Sequence, residues 1–375
     1  MKRLSSLLLA LLLLTASFVV GVPAARGDVQ DQLPLTLIEK EGFTATVTSV
    51  VDTAQEDWML AVGLHFVGTE AGAELILYQV RVNGWTLGYD DFKTKALYGA
   101  YLDKNGLDDT VYILSTVKDS YQISEIDTVE FIFQIRSVED GRAVTEKGML
   151  TLSESPVEAP VSLRYDVRLF FDDWNMTTPI CLTYATNRTD IPAMMTLAVT
   201  AIDAGGEPIP VFDMMLGRTR QVNQFSLCVP AGVEDYPIAF RLPSSYTFDQ
   251  VANAPMPDID HLDCETVSCE AVLDEDLARH FTAGEVSVDK YNLRMPLVFD
   301  ETIANEYSDI YANYTLVGRS GGEIVSIVCS NLSGSWSAQY ALDNAQNYLQ
   351  VYKDAPRETV EEWSFYPGFI GGKKR

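Results

Sequence analysis

Histidine, cysteine and basic residues are scarce in this chain of 375 residues. It contains 3 histidines and 5 cysteines, and its 27 lysines and arginines are outnumbered by 53 aspartates and glutamates, for a formal net charge of −26. Because this charge repels phosphate backbones, we expect no nucleic-acid partner. The sequence also lacks HExxH, a zinc-type CxxC spacing and a glycine-rich phosphate loop, so the common metal and nucleotide signatures are absent.

One long apolar run is present, and it lies at the N-terminus. Lys2 and Arg3 precede an almost unbroken apolar stretch at residues 7–20, and a segment rich in small residues follows at 22–27. This order is typical of a secretory signal peptide, and the run is short for a membrane span of about 20 apolar residues. We predict a signal peptide at residues 1–27 and a secreted or envelope-associated mature chain without a membrane span. An uncleaved N-terminal anchor is the alternative.

No cysteine lies before residue 181. The five cysteines are Cys181, Cys228, Cys264, Cys269 and Cys329. Export permits disulfides, but an odd number leaves at least one thiol unpaired in a monomer. Cys264 and Cys269 are close enough in sequence to pair, and buried thiols that act as small apolar side chains are the alternative.

Alternation of apolar and polar residues predicts many β-strands. Residues 43–48 alternate apolar side chains with threonine, and residues 58–66 and 129–135 also alternate. In a further strand we expect four side chains on one side of the sheet, namely Ile76, Tyr78, Val80 and Val82. Asn83-Gly84 follows them, which is a strong hairpin signal because both residues tolerate a positive φ. The pattern predicts a mostly β fold of antiparallel sandwiches.

A later segment repeats this plan, which suggests tandem modules. Gly205-Gly206 follows a strand as Asn83-Gly84 does, and residues 232–235 precede a strand as residues 106–109 do.

A cluster of serine and proline at residues 153–160 indicates a linker. We predict sandwich domains at 28–156 and 157–254 and a third β-rich domain at 255–375. Helical spacing of apolar residues suggests a short helix at 338–352, and the alternative there is another strand with a long loop.

The order of an apolar strand, a polar loop, a strand ending in Val82-Asn83-Gly84 and a turn at Gly106–Asp109 resembles a known family. It is similar to the immunoglobulin-like modules of secreted proteins and lipoproteins from Gram-positive gut bacteria, most of which have no assigned function. The resemblance covers residues 43–152 best and residues 161–242 loosely. It implies tandem immunoglobulin-like sandwiches and export. Unlike the lipoprotein members, this chain has no lipid-accepting cysteine after the signal peptide.

Two segments carry residues suited to ligands. Asp103, Asn105, Asp108 and Asp109 supply oxygen atoms at spacings used by calcium loops, although a strand residue stands where such loops end in glutamate, and a simple turn is the alternative. Calcium is thus the one cofactor hypothesis that the sequence offers. Asp172, Asp173 and Trp174 combine acids with an aromatic ring that could stack on a sugar, or the tryptophan could fill the core.

Motifs with catalytic or glycosylation meaning are few. Gly318-Arg319-Ser320-Gly321-Gly322 matches GxSxG, but strand-like residues follow it where a nucleophile elbow needs a helix, so we predict a hairpin turn. The sequence cannot select a catalytic carboxylate pair from 53 acids.

Four Asn-x-Ser/Thr sequons occur and are interpreted as chance matches; they begin at Asn175, Asn187, Asn313 and Asn331.

Together these observations favour an exported, non-catalytic protein that binds or adheres to an unidentified protein or glycan. The alternative is a carbohydrate-active enzyme or carbohydrate-binding protein, so the sequence leaves open whether the protein is an enzyme and favours that it is not.

Overall fold

The fold is mostly β and is built of antiparallel sheets, as the sequence predicts. The computed structural model describes residues 26–52, 57–171, 179–209, 212–213, 224–241, 259–271, 281–283, 287–288, 292–294, 297–299, 302–331, 336–337, 351–352 and 360–375. The chain divides into two compact units, Met1–Ala159 and Pro160–Arg375. None of the helices in the described part of the chain is both long enough and apolar enough to cross a membrane.

Unit 1 contains ten described strands and two short helices. They are α1 (Arg26–Asp31), β1 (Leu35–Lys40), β2 (Phe43–Asp52), β3 (Trp58–Val67), β4 (Ala73–Val82), β5 (Trp85–Thr86), β6 (Phe92–Lys93), β7 (Tyr98–Leu102), β8 (Leu107–Leu114), α2 (Thr116–Ser120), β9 (Thr128–Ser137) and β10 (Ala143–Thr151). The first sheet has the order β1-β2-β3-β8-β6, and the second has the order β10-β9-β4-β5 with β7 also paired to β4.

The two sheets of unit 1 face each other across an aromatic core. Phe43 and Phe66 come from the first sheet and Phe133 comes from the second, and all three side chains are buried. The ring of Phe133 lies 5.3 Å from that of Phe66 and 6.3 Å from that of Phe43. Full burial of such a side chain contributes about 1.5–3 kcal/mol, so this cluster joins the sheets into a two-layer sandwich.

The hairpin predicted at Asn83-Gly84 is confirmed. Both residues have positive φ, 50° and 84°, and they connect β4 to β5. The Asn83 side chain also donates to the carbonyl of Glu125 at 2.8 Å and accepts from the N–H groups of Asp127 and Thr128. The turn is therefore tied to the start of β9 as well as closing the hairpin.

One predicted strand orientation is wrong. A β-bulge between Leu77 and Gln79 shifts the alternation of β4 by one residue. As a result Val80 and Val82 face the core, while Tyr78 is 54% exposed on the outer side. A bulge of this kind depends on the neighbouring strand, which local alternation cannot show.

Unit 2 contains the remaining described strands and one short helix. They are β11 (Val161–Phe171), β12 (Pro179–Asn187), β13 (Ala193–Asp203), β14 (Pro208–Ile209), β15 (Phe212–Asp213), β16 (Gln224–Val229), β17 (Tyr236–Arg241), β18 (Ile259–Ala271), β19 (Phe281–Ala283), β20 (Ser287–Val288), β21 (Asn292–Arg294), β22 (Leu297–Phe299), α3 (Ile303–Glu306), β23 (Tyr307–Ser320), β24 (Glu323–Asn331), β25 (Trp336–Ser337), β26 (Val351–Tyr352) and β27 (Glu362–Lys374).

Two sheets of unit 2 reproduce pairings of unit 1 in the same chain order. One sheet has the order β11-β12-β17-β15, and the other has β14-β13-β16 with β18 also paired to β13. The corresponding pairs are β2–β3 and β11–β12, β3–β8 and β12–β17, β6–β8 and β15–β17, β4–β5 and β13–β14, β4–β7 and β13–β16, and β4–β9 and β13–β18.

The predicted domain boundary at residue 254/255 stays a prediction. Strand β18 follows that boundary, yet it pairs along most of its length with β13 of the predicted second domain. The sequence could not reveal this pairing because the partners are far apart in the chain. Of the predicted helix at 338–352, residues 338–350 lie outside the described residues, and Val351 and Tyr352 form a strand that pairs with β21. The last two residues of that prediction are thus wrong.

The GxSxG segment is a hairpin, as predicted. Gly318 and Ser320 lie in β23, Gly321 and Gly322 form the turn with φ of 57° and 83°, and strand β24 follows. Ser320 therefore lacks the strand-to-helix context of a nucleophile elbow.

Candidate functional site

Three loops of unit 1 meet at one end of the sandwich. Residues 68–72 join β3 to β4, residues 103–106 join β7 to β8, and residues 138–142 join β9 to β10. They are brought together because β3, β7 and β9 all end where β4, β8 and β10 begin. We call the surface formed by these three loops the loop end.

Direct contacts hold two of these loops together. The N–H of Gly68 donates to the carbonyl of Asp103 at 2.9 Å. The Lys104 ammonium lies 2.7 Å from the Glu70 carboxylate. That ion pair is exposed and contributes little by itself, whereas the backbone hydrogen bond sets the spacing of the loops.

Short side-chain bonds shape the loop tips. The Asp103 carboxylate accepts from the backbone N–H of Asn105 at 2.7 Å and from its amide at 3.0 Å, which forms an Asx turn. In the third loop, the backbone N–H of Arg142 and then the Ser137 hydroxyl lower the pKa of Asp140. The third loop therefore presents an ionised carboxylate near neutral pH.

An apolar group is exposed at the loop end and another borders it. Val138, in the third loop, is 59% exposed. Tyr101, in β7 just before the second loop, is 61% exposed. The ring of Tyr101 lies over Gly72, since a Cβ added at that glycine would collide with the tyrosine hydroxyl. The loop end thus carries exposed apolar groups beside the charged side chains of Glu70 and Lys104.

The four predicted calcium ligands do not converge. Asp103 and Asn105 share the Asx turn, and the carboxylate of Asp108 lies 2.7 Å from Nδ1 of His65. Asp109 is buried and points away from the loop end. In the described residues no group of three or more histidine, cysteine or acidic side chains is arranged to hold a metal ion. Calcium binding stays a prediction that these contacts do not support.

Asp109 instead binds the crossover between the two sheets. Its carboxylate accepts from the Thr94 hydroxyl and from the N–H groups of Ala96 at 2.8 Å, Leu97 at 3.3 Å and Thr110 at 2.7 Å. Burial raises the pKa of Asp109, but the hydrogen bonds from Thr94 and the backbone outweigh it, so the net shift is downward. Asp109 is a structural anion, and its partners were not visible in the sequence.

The sugar-binding candidates Asp172, Asp173 and Trp174 lie outside the described residues, directly after β11. Their role stays a prediction.

The two neighbouring cysteines do not pair. Cys264 and Cys269 both lie on β18, and neither is in a disulfide. At about 3.3 Å per residue, five residues of strand separate them by roughly 16 Å, which is too far for a disulfide. Burial, followed by the charge of Asp263, raises the pKa of Cys264 to about 12.

Sequence reasoning missed a cluster of tyrosines on the outer side of the second sheet. Tyr78, Tyr98 and Tyr101 are 54%, 58% and 61% exposed. We call this surface the tyrosine face. Alternation placed Tyr78 on the side of Val80 and Val82, and no sequence pattern pointed to Tyr98 or Tyr101.

Comparisons with known proteins do not assign the chain to a family. No family model matches it, and no curated protein is similar in sequence. A solved structure of the YadV chaperone is 9% identical over 60% of this chain and 92% of that chain, with a TM-score of 0.25. A tetra-tandem repeat from the extending region of a large adhesion protein is 11% identical over 88% of this chain and 74% of that chain, with a TM-score of 0.15. Both likenesses are too low to carry an argument about fold or function.

Proposed function

We propose that this chain is an exported, non-catalytic protein of the extracellular space or cell envelope, built of tandem immunoglobulin-like modules, that binds or adheres to a partner. The loop end of unit 1 is the observation that carries the binding role. Three loops from separate parts of the chain converge there and expose Val138 among charged side chains.

The strand order supports an immunoglobulin-like module. Such domains place strands A, B, E and D in one sheet and G, F, C and C′ in the other. In unit 1 the order β2-β3-β8-β6 corresponds to the first sheet, and β10-β9-β4-β5 corresponds to the second. In this correspondence residues 68–72 and 138–142 are the B–C and F–G loops, which variable domains use for binding.

The tandem arrangement is supported by the six pairings that unit 2 shares with unit 1. Two turns agree in conformation as well. Gly84 and Gly206 both have positive φ between the equivalent strands β4–β5 and β13–β14. Gly106 and Gly232 both have positive φ shortly before β8 and β17.

Export rests on the apolar run at residues 7–20 and the small residues after it. Sequencing the N-terminus of the native protein, together with its recovery from cell fractions, tests this part of the proposal. A new N-terminus near residue 28 in the medium or envelope supports export. A chain that keeps Met1 in the cytoplasm would contradict it.

Binding at the loop end is tested by affinity capture with the full chain immobilised on beads. Envelope and secreted extracts are passed over the wild type, a Val138→Asp/Lys104→Glu variant and a Tyr89→Ala control, whose tyrosine is 72% exposed outside the loop end. We expect a defined partner to be retained by the wild type and the control and lost from the loop variant. A partner retained equally by all three would exclude the loop end as its binding site.

A further inference from the structure

We propose that the tyrosine face of unit 1 binds a neutral polysaccharide by stacking sugar rings on Tyr98 and Tyr101. Tyr101 borders the loop end through its contact with Gly72, whereas Tyr98 lies one row further along the sheet. The proposal does not require that the loop end bind a partner.

A backbone irregularity brings the two rings to the same side of the sheet. Residues 98 and 101 are three apart, so regular alternation would place them on opposite sides. Gly99, with φ of 126°, lies at a register shift between β7 and β4. As a result Tyr98 stands opposite Ile76 and Tyr101 stands opposite Glu74, and cross-strand partners share one side.

The rings form the ends of two rows across three strands. One row runs from Gln134 through Ile76 to Tyr98, and the register of β9, β4 and β7 aligns them. The parallel row runs from Arg136 through Glu74 to Tyr101. The end of each row opposite the tyrosine therefore carries a donor, the amide of Gln134 in one row and the guanidinium of Arg136 in the other. Both groups can donate hydrogen bonds to sugar hydroxyls.

The platform is held in place before any ligand binds. Strand β7 is fixed by Leu102, which is fully buried, and the N–H of Leu77 donates to the carbonyl of Leu97 at 2.8 Å just before β7. Tyr101 is limited by its contact with Gly72. Binding to a preformed surface loses less conformational entropy than binding to a mobile one.

Charge on this face favours an uncharged ligand. Glu74 lies 3.5 Å from Arg136, and Glu130 lies 2.8 Å from Arg81, so these charges are paired on the face itself. The chain as a whole has a net charge of −26 and repels anionic polymers. Tyrosine rings present an apolar surface with a polar tip, which suits the apolar C–H side and the hydroxyl rim of a neutral sugar.

Affinity electrophoresis of the full chain tests the proposal, with barley β-glucan, galactomannan or xylan cast in native gels and polygalacturonate as the anionic comparison. The variants are Tyr98→Ala, Tyr101→Ala and the control Tyr89→Ala, each checked for an unchanged melting temperature. Tyr98→Phe keeps the ring and removes only the hydroxyl.

We expect at least one neutral polysaccharide to retard the wild type, and the Kd to rise about tenfold in Tyr98→Ala and Tyr101→Ala. Tyr89→Ala and Tyr98→Phe should stay close to the wild type. Retardation by none of the three neutral polymers would overturn the proposal. Equal retardation of wild type and both alanine variants, or retardation by polygalacturonate alone, would also overturn it.

Discussion

The carboxylate of Asp109 accepts a hydrogen bond from the backbone N–H of Ala96 at 2.8 Å, which ties β8 to the segment that crosses from β6 to β7. Asp109 lies in β8 of the first sheet, whereas Ala96 lies in the segment that leads to the second sheet. The carboxylate also accepts from the Thr94 hydroxyl and from the Leu97 N–H. The crossover is therefore held by one buried anion, and β7, which carries Tyr98 and Tyr101, begins where this anchored segment ends.

Asp109→Ala should destabilise unit 1 by about 2–4 kcal/mol, because it leaves several buried N–H groups without an acceptor. Denaturant unfolding at neutral pH measures the change. Asp108→Ala is the matched control, since that carboxylate is 83% exposed and lies beside His65. This variant should lower the free energy of unfolding by less than about 1 kcal/mol. Equal losses in both variants would show that the anchor is unimportant.

Acid should remove the contribution of Asp109. Its pKa in the folded protein lies below the ordinary aspartate value of about 3.9. A lowered pKa stabilises the fold above the unfolded value, and this stabilisation is lost as the pH falls through the folded value. The stability gap between the wild type and Asp109→Asn should therefore be constant from pH 7 to about 5 and shrink below about pH 4. A gap that widens at pH 3 would contradict the lowered pKa.

Asn187 begins a glycosylation sequon but is fully buried. Its amide donates to the carbonyls of Ile191 and Val229 and accepts from both the N–H and the hydroxyl of Thr189. Folded protein secreted from a glycosylating host should carry no glycan at this residue, as peptide mapping by mass spectrometry would show. Asn187→Ala should cost about 2–4 kcal/mol, whereas Asn105→Ala, at an exposed turn, should cost under about 1 kcal/mol. A glycan on folded protein would contradict the burial.

Cys264 should react slowly with iodoacetamide in the native protein at pH 8, because its pKa is raised to about 12 and only the thiolate is nucleophilic. Labelling of the peptide that contains Cys264 is followed by mass spectrometry with and without urea. We expect the rate in urea to exceed the native rate at least tenfold, since the unfolded thiol has a pKa of about 8.5. Similar rates in both conditions would contradict the raised pKa of Cys264.

Gly72→Ala should destabilise unit 1 and displace Tyr101. The glycine has φ of 78°, and an added Cβ would collide with the tyrosine ring. Gly141→Ala is the control, because that glycine has φ of 69° but open space around it. Both variants carry the backbone strain of about 1 kcal/mol, so a larger loss in Gly72→Ala, measured by thermal unfolding, reports the collision alone. Equal losses would mean that the ring moves freely.

Several elements could be predicted from the sequence because their signals are local. The strands at 43–48 and 58–66 and the turn at Asn83-Gly84 follow from alternation and from residues that tolerate positive φ. The hairpin at Gly321-Gly322 was predicted for the same reason. Each depends on only a few consecutive residues.

The candidate sites depended on contacts between distant residues. Asp109 was grouped with Asp103 by sequence spacing, but folding turns it toward Ala96 and away from the turn. Likewise, β18 lies beside β13 although the predicted boundary at 254/255 separates them in the sequence.

What the sequence by itself determined was the mostly β class, the hairpin turns and the acidic charge, since these follow from alternation, turn chemistry and composition. The tertiary structure alone decided which three loops meet at the loop end and which tyrosines share the outer side of the second sheet. The bulges at Tyr78 and Gly99 reverse the local alternation only in the presence of neighbouring strands. Their positions depend on strand register, which is set by packing across the core and not by any short segment of the chain.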